Sequence, residues 1–502
     1  MNSFEIPLLR DIKYGHCIDD FTVMNFLASP EGLRLRPPLF PLFDIPFATG
    51  DVIVGFYYGN DDTIYLAKVS ATFLLTIYKI DLPKSKYKSI FTLASVSRDD
   101  RPSMCNCNNY KFWLISGKLY KLVDDTFTEI DISKGDIKPK DIVDFEVMNS
   151  TLYLLSSSKG EVFYTSDFAE FKKWEAFTII SYAGKGVGLG AINNNLCIFT
   201  QSGMEVWYGQ PSSDGLFPLT KRRELSFPYK LISKRTLEND GNYLIGAFHL
   251  IDGKFVVIRF DGQEMKILDN APLFDYFRPE RSSIDLNDNL VSSMFNYNNN
   301  TYYVLFFNLP NGDLNNKYYP NVAFCLHLNL GVWTLLKNQN SFSANYHINV
   351  KHKVYNLLIN DGSSDITVCE ASGLLEEDVD NVFTFNGIII TDYFPSSKPY
   401  VTEQLTFLYF YENTISEQLN SEKGGMFIDM FISYKRDFPL EPDYRLTILG
   451  TELEDSREKI IKLNYNLFGI NGGVVRFKFE FKRYNSYKFN FLLKGIYGKE
   501  RI

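Results

Sequence analysis

Residues of a type that could do chemistry are scattered through this chain, and none converges on a partner. The stretch Gly184-Lys185-Gly186-Val187-Gly188-Leu189-Gly190 has the look of a phosphate cradle. Such a loop needs Gly-Lys-Ser/Thr opening a helix, because loop amides and the helix N-terminus bind phosphate together. A strand pattern, AINNNLCIFT, follows instead, so the glycines are expected to serve a chain crossing between β units. Ser166-Asp167 followed by Trp174 fits a turn whose carboxylate accepts backbone N–H bonds above a packed indole. Glycosidase work would need two opposed carboxylates, or a tyrosine nucleophile beside an arginine cluster. No such set repeats, so Asp167 is expected to form a turn and Trp174 to sit in a core. His16, His249, His327, His347 and His352 lack ligand spacing, with His347 and His352 expected on opposite strands of one hairpin. Cys105-x-Cys107 is too tight for a zinc knuckle and has no second pair. There is no Gly-x-Ser-x-Gly elbow. Lys221-Arg222-Arg223 could touch phosphate or an acidic partner, but is expected to be solvated. The expectation is therefore a non-enzyme without catalytic, cofactor-binding or metal-binding residues.

The elements that would carry these residues are short. Apolar, β-branched and aromatic runs alternate with Asn, Asp, Gly and Lys turns, which is how hairpin-linked strands read. Seven strand–turn–strand units recur, with turn markers Asn60, Asn108, Asn149, Asn194, Asp252, Asn299 and His352, spaced 48, 41, 45, 58, 47 and 53 residues apart. Most are followed by a further turn and strand. Units of three or four antiparallel strands at that period are the signature of a β-propeller. Stacked β-sandwiches would not require near-equal spacing over so long a run. The expected fold is all-β, a seven-bladed propeller over residues 46–375, with six or eight blades left open by the long fourth interval. The cause of that interval, residues 211–235, reads as an exposed loop.

Residues 1–45 are rich in proline and are expected as an extended arm with at most short edge strands. Residues 376–502 show longer alternating strands. In VVRFKFEFKR, Val475, Phe477, Phe479 and Phe481 alternate with charged residues, which predicts a C-terminal antiparallel β-sandwich-like domain that makes subunit contacts. Composition agrees with β structure, since 43 Phe and 32 Tyr suit pleated, half-buried surfaces. A net charge of −8 excludes a general nucleic-acid binder, whose affinity comes from Lys and Arg on phosphates. Cys17, Cys105, Cys107, Cys197, Cys325 and Cys369 are too sparse for a disulfide scaffold and are expected as reduced thiols. Neither an export signal nor a membrane span is read, which predicts synthesis in a cytoplasm.

VFYTSDFAEFKKW, a Gly-rich turn and NNLCIFTQSGMEVWYG resemble the diagnostic segment of the packaged-DNA stabilisation, or tail hub (nozzle-like), proteins of short-tailed, podovirus-type bacteriophages. Phe199, Gly203, Glu205, Val206 and Trp207 fall on that family's phrase, and Asn25 to Pro30 with Arg36-Pro37-Pro38 resemble its opening, without the usual glycine. The family's "P-F" and basic residue appear in altered order as Phe217-Pro218 and Lys221. The resemblance implies a virion tail protein made in the bacterial host cytoplasm. It would form a homohexameric ring below portal and adaptor, support a tail needle or distal tail piece, and meet tailspike or fibre proteins. Packaged DNA would pass its channel without sequence-specific binding. The alternative is a propeller-type glycan-binding or glycan-cleaving protein, since the Ser166-Asp167 segment also resembles the Asp-box of sialidase-like propellers, at longer spacing and in one copy. A cellular scaffold is disfavoured because WD-type dipeptides and kelch glycine pairs are missing.

Overall fold

The computed structural model describes residues 3–5, 23–59, 62–98, 100–107, 110–133, 137–157, 160–168, 170–178, 185–209, 219–268, 290–308, 322–337, 342–343, 346–360, 365–371, 385 and 387–390, and then the strands between 394 and 500 given below. His16, Cys17, Asn60, Asn108, Gly184, Phe217 and Pro218 lie outside the described residues.

Seven antiparallel sheets follow one another along the chain as blades. Blade one is Val52–Tyr58, Thr63–Val69, Leu75–Asp81 and Lys86–Leu93. Blade two is Ser103–Cys107, Tyr110–Ile115, Lys118–Val123 and Thr126–Glu129. Blade three is Ile142–Met148, Thr151–Ser156, Glu161–Thr165 and Glu175–Thr178. Blade four is Gly186–Ile192, Asn195–Thr200, Met204–Tyr208 and Thr220–Lys221. In blade five, Lys230–Leu231 and Glu238–Asn239 both pair with Leu244–His249, and Phe255–Phe260 and Met265–Leu268 follow. Blade six is Leu290–Tyr297, Asn300–Phe307, Val322–His327 and Val332–Lys337.

Blade seven brings the two ends of the ring together. Phe342–Ser343 and His347–Val350 pair with Lys353–Asn360, then Asp365–Ala371 pairs with Leu39–Pro46. Its outer strand thus comes from the start of the chain. The eight-residue strand corrects the expectation of an arm with only short edge strands. Pro41 and Pro46 are tolerated there because an outermost strand can leave their missing N–H unpaired.

The second strand of a blade is covered on both faces, as in Thr151–Ser156 and Asn195–Thr200, while the outer Lys86–Leu93 is largely exposed. Apolar clusters join each blade to the next, and the last joins blade six through seven to blade one, through residues such as Val304, Leu357 and Ile64. Of the sequence's turn markers, Asn149, Asn194, Asn299 and His352 fall at the first turn of their blades, and Asp252 at the second turn of blade five. Asn149-Ser150, Asn193-Asn194 and Asn298-Asn299 carry consecutive positive φ, the two-residue turn whose twist matches paired strands and which Asn tolerates.

A second module grows from the edge of blade six. Val332–Lys337 pairs in parallel with Val23–Met24, and the sheet continues through Gly387–Ile390, Val474–Tyr484, Gly425–Ser433 and Tyr444–Ile448 to ten strands in all. Phe394–Pro395 also joins Val474–Tyr484. A further sheet holds Phe26–Ser29, Gly32–Leu35, Asn490–Glu500, Thr402–Glu412 and Lys459–Asn464, with Ser3–Glu5 on Asn490–Glu500. The two sheets meet where Phe26 packs edge-on against Phe481 at 5.3 Å. Gly387 is required at that contact, since a Cβ there would lie 2.4 Å from the Phe26 ring. Phe479 and Phe481 are fully buried, as their alternation predicts.

Asn25, in the N-terminal phrase, makes the joint. It holds φ at 56°, its N–H donates to the Leu335 carbonyl at 2.7 Å, and its Oδ1 accepts from Lys337 N–H at 2.8 Å.

Candidate functional site

The inner strands bring charged side chains from several blades onto the propeller axis. Blade five contributes most, because its inner strand is broken by a 3-10 turn, Lys234–Thr236, capped by Ser233, whose Oγ accepts from Arg235 N–H. From this turn Lys234 reaches Asp144 of blade three in a direct ion pair, and Ser103 of blade two at 3.4 Å. Contact among blades two, three and five places the cluster in the central channel. Asp144 is fully buried, and its other carboxylate oxygen accepts the Leu189 N–H of blade four at 2.6 Å.

The glycine row finds its role here. A Cβ at Gly188 would stand 3.3 Å from Lys234 Cβ and 3.5 Å from the Asp144 carboxylate, and one at Gly186 would enter Leu155 at 2.6 Å. The glycines lie within the inner strand of blade four, not in the expected crossing between units, and let Lys234 pass over the backbone.

Next to this pair stand Cys105 and Glu146, where the thiol donates to Glu146 Oε1 at 3.9 Å and Val147 N–H donates at 2.9 Å. Across the channel Arg101, Arg235 and Glu238 interact with Tyr346 of blade seven and Tyr57 of blade one. Glu238 accepts from Ser292 of blade six at 2.9 Å. Burial pushes the carboxyls of Glu146 and Glu238 up to about 7, against the donors that hold them. Burial also pulls the Lys234 ammonium down to about 7, with Cys105 opposing that shift. Groups that titrate near neutrality suit proton transfer, and structural ion-pair networks perturb acids and bases in the same way. Here the Lys234–Asp144 pair ties blade five to blade three, and Ser292–Glu238 ties blade six to blade five.

The residues singled out by type are placed as follows. Asp167 accepts from Glu170 and Lys172 N–H, each at 3.1 Å, and Trp174 Nε1 donates to the Phe171 carbonyl at 3.0 Å beside an apolar cluster. That is the expected turn and packed indole. Glu205 is buried between Lys221 Nζ at 2.9 Å and Trp207 Nε1 at 3.1 Å. Trp207 packs on Phe177 of blade three at 4.9 Å, and Phe199 on Phe248 of blade five at 5.8 Å.

The basic run is not simply solvated. Lys221 holds Glu205, and Arg222 pairs with Glu224 at 2.9 Å and lies 5.9 Å from the Tyr208 ring centre. Nor are residues 219–235 a loop. They supply the outer strand of blade four and an inner strand of blade five, and they bury Leu225, Leu231 and Ile232. Elements of two or three residues leave no periodicity to read. His327 is buried with Nδ1 accepting Leu330 N–H at 3.1 Å, so Nε2–H donates to Asn300 at 2.9 Å. His347 stacks on Phe295 at 4.6 Å, while His352 sits in the turn and not on the opposing strand. Among the described residues no group of His, Cys, Asp and Glu is arranged to hold a metal. Cys105, Cys107, Cys197, Cys325 and Cys369 are free thiols in strands, and burial pushes Cys105 and Cys325 up to about 12. No described helix is long and apolar enough to cross a membrane.

No protein-family model and no curated protein matches the sequence. Among solved structures the chain is similar to the Pan2 WD40 domain of Neurospora crassa, with 8% identity, a TM-score of 0.42 and coverage of 70% of this chain and 98% of that one. It is also similar to the Cps50 (Swd1) β-propeller domain of Myceliophteria thermophila, with 9% identity, a TM-score of 0.40 and coverage of 67% and 100%. A third is YCF48 bound to D1 peptide, with 13% identity, a TM-score of 0.37 and coverage of 67% and 96%.

Proposed function

We propose that this chain is a non-enzymatic structural virion protein. It is a tail hub subunit that closes the genome channel below portal and adaptor, retains packaged DNA and forms part of the ejection conduit. The observation that carries the reading is the ten-stranded sheet, in which blade six runs on into the C-terminal module. A hinge between two domains would yield under load, whereas a shared ladder moves only by breaking main-chain hydrogen bonds. A stiff two-part body suits a subunit whose head-to-tail contacts close a ring, six copies in the resembled family.

Three further features support it. Phe199, Gly203, Glu205 and Trp207, on the family-like phrase, are committed to packing and ion pairing inside the blades. In the channel Lys234 is paired with Asp144, and Glu238 is held by Ser292. The net charge of −8 lets DNA pass without being held. In this role the ring binds the adaptor above, the needle or distal tail piece below, and tailspikes or fibres at its side. The test is electron microscopy and DNA retention of particles assembled without the protein. Heads that leak or empty are expected, and full, stable heads would reject the role.

A further inference from the structure

A polar groove opens where the turns of blades four, five and six meet, with a volume of about 460 Å³. That lies in the range of small-molecule sites. Its walls are tied together before any ligand arrives. Asn193 of blade four donates to the Asp261 carbonyl of blade five at 2.7 Å. Arg259 of blade five donates to the Leu328 carbonyl of blade six at 3.3 Å and stacks 4.3 Å from the Tyr243 ring centre. Asp240 and Asp261 each use one carboxylate oxygen to fix their own turns, accepting Asn242 and Tyr243 N–H at 2.8 and 2.6 Å, and Gln263 and Glu264 N–H at 2.8 and 2.7 Å.

Recognition groups remain in excess of those that hold the groove. Among the described residues, no hydrogen bond reaches the side-chain amides of Asn242, Gln263 or Asn329, or the second oxygens of Asp240 and Asp261. The backbone N–H bonds, that of Glu264 first, hold the Asp261 carboxyl below its usual range, so it is an acceptor only. A ligand must therefore bring donors to the carboxylates and either donors or acceptors to the amides, as vicinal hydroxyls do. Phosphate and acidic sugars are repelled by Asp240 and Asp261. Among the described residues no three His, Cys, Asp or Glu side chains are grouped to hold a metal, in this groove or elsewhere. Tyr243, its ring braced by Arg259, offers an apolar surface for the C–H face of a sugar ring.

We propose that this groove binds a neutral oligosaccharide, contacted by Asn242, Gln263, Asn329, Asp240 and Asp261 and stacked on Tyr243. The proposal goes beyond the hub role and does not depend on it, because DNA retention and glycan binding can fail separately. The full chain is applied to an array of neutral and acidic glycans, and the strongest neutral glycan is then titrated against wild type, the Asn242→Ala/Gln263→Ala double variant and Asn329→Ala. The expected result is signal on neutral glycans only, weakened at least about tenfold in the double variant, as loss of two modest hydrogen bonds implies, with unchanged thermal unfolding. A silent array, signal confined to acidic glycans, or a folded double variant that binds like wild type would overturn it.

Discussion

Replacing Asp144 by alanine should be the most damaging single change in the propeller channel. The carboxylate is fully buried, pairs with Lys234 and accepts the Leu189 N–H, so one truncation orphans a cation and a backbone donor on two other blades. Removing one partner of a buried ion pair costs about 3–5 kcal/mol, and an unsatisfied buried N–H about 1–3 kcal/mol. Lys234 keeps 29% of its side chain exposed, so water screens part of the first cost and a loss of roughly 3–4 kcal/mol is expected. Asp144→Asn keeps an acceptor for Leu189 and should lose only about half as much. Urea unfolding followed by tryptophan fluorescence reads this, because Trp113, Trp174, Trp207 and Trp333 all lie in blades. In a double-mutant cycle with Lys234→Met the double variant should be more stable than Asp144→Ala alone. A loss below about 1 kcal/mol, the level of an exposed pair, or additivity in the cycle, would mean that Asp144 and Lys234 are not a coupled buried pair.

Three other outcomes follow from the same physics. Lys221→Met should cost about 3–5 kcal/mol in the same unfolding measurement, since it takes the cation away from the buried Glu205 carboxylate. Gly203→Ala should lower stability by about 1–3 kcal/mol, read as a drop in melting temperature, because the new Cβ would meet the Phe227 carbonyl at 2.5 Å. His327 is held neutral, burial lowering its ring below the ordinary value of 6.5. Its contribution is therefore complete above pH 6.5 and is lost as pH falls from there through the lowered folded value. Urea midpoints taken from pH 7.5 to 5 should fall more steeply for wild type than for His327→Gln.

The blades were legible because each first hairpin is a local event. Asn149, Asn194 and Asn299 each sit in a two-residue turn whose backbone demands them, and their spacing carries the repeat. The closing strand was not legible, because Leu39–Pro46 finds its partner more than 300 residues away at Asp365–Ala371, and no local pattern encodes that pairing. Proline in LFPLFDIP argued for an arm, and is equally consistent with an outermost strand. The channel network was missed for a related reason. Ser103 and Cys105, and Asp144 and Glu146, alternate on one face of their strands, but only knowledge of which strand is innermost turns that alternation into a shared site. Lys234 was hidden in a three-residue turn within a stretch read as loop. The Asp167 turn was legible because its carboxylate acts within five residues.

On this structure the chain's first strands lock the propeller and its appended module into one rigid body. Hydrogen–deuterium exchange on the intact protein tests it most directly. Those amides of residues 42–45 that pair with Asp365–Ala371, and those of Asn25 and Lys337, should exchange as slowly as the paired amides of Thr151–Ser156 in the core of blade three. Exchange of all of residues 42–45 within seconds, while blade three stays protected, would mean that the propeller is not closed by its N-terminal strand.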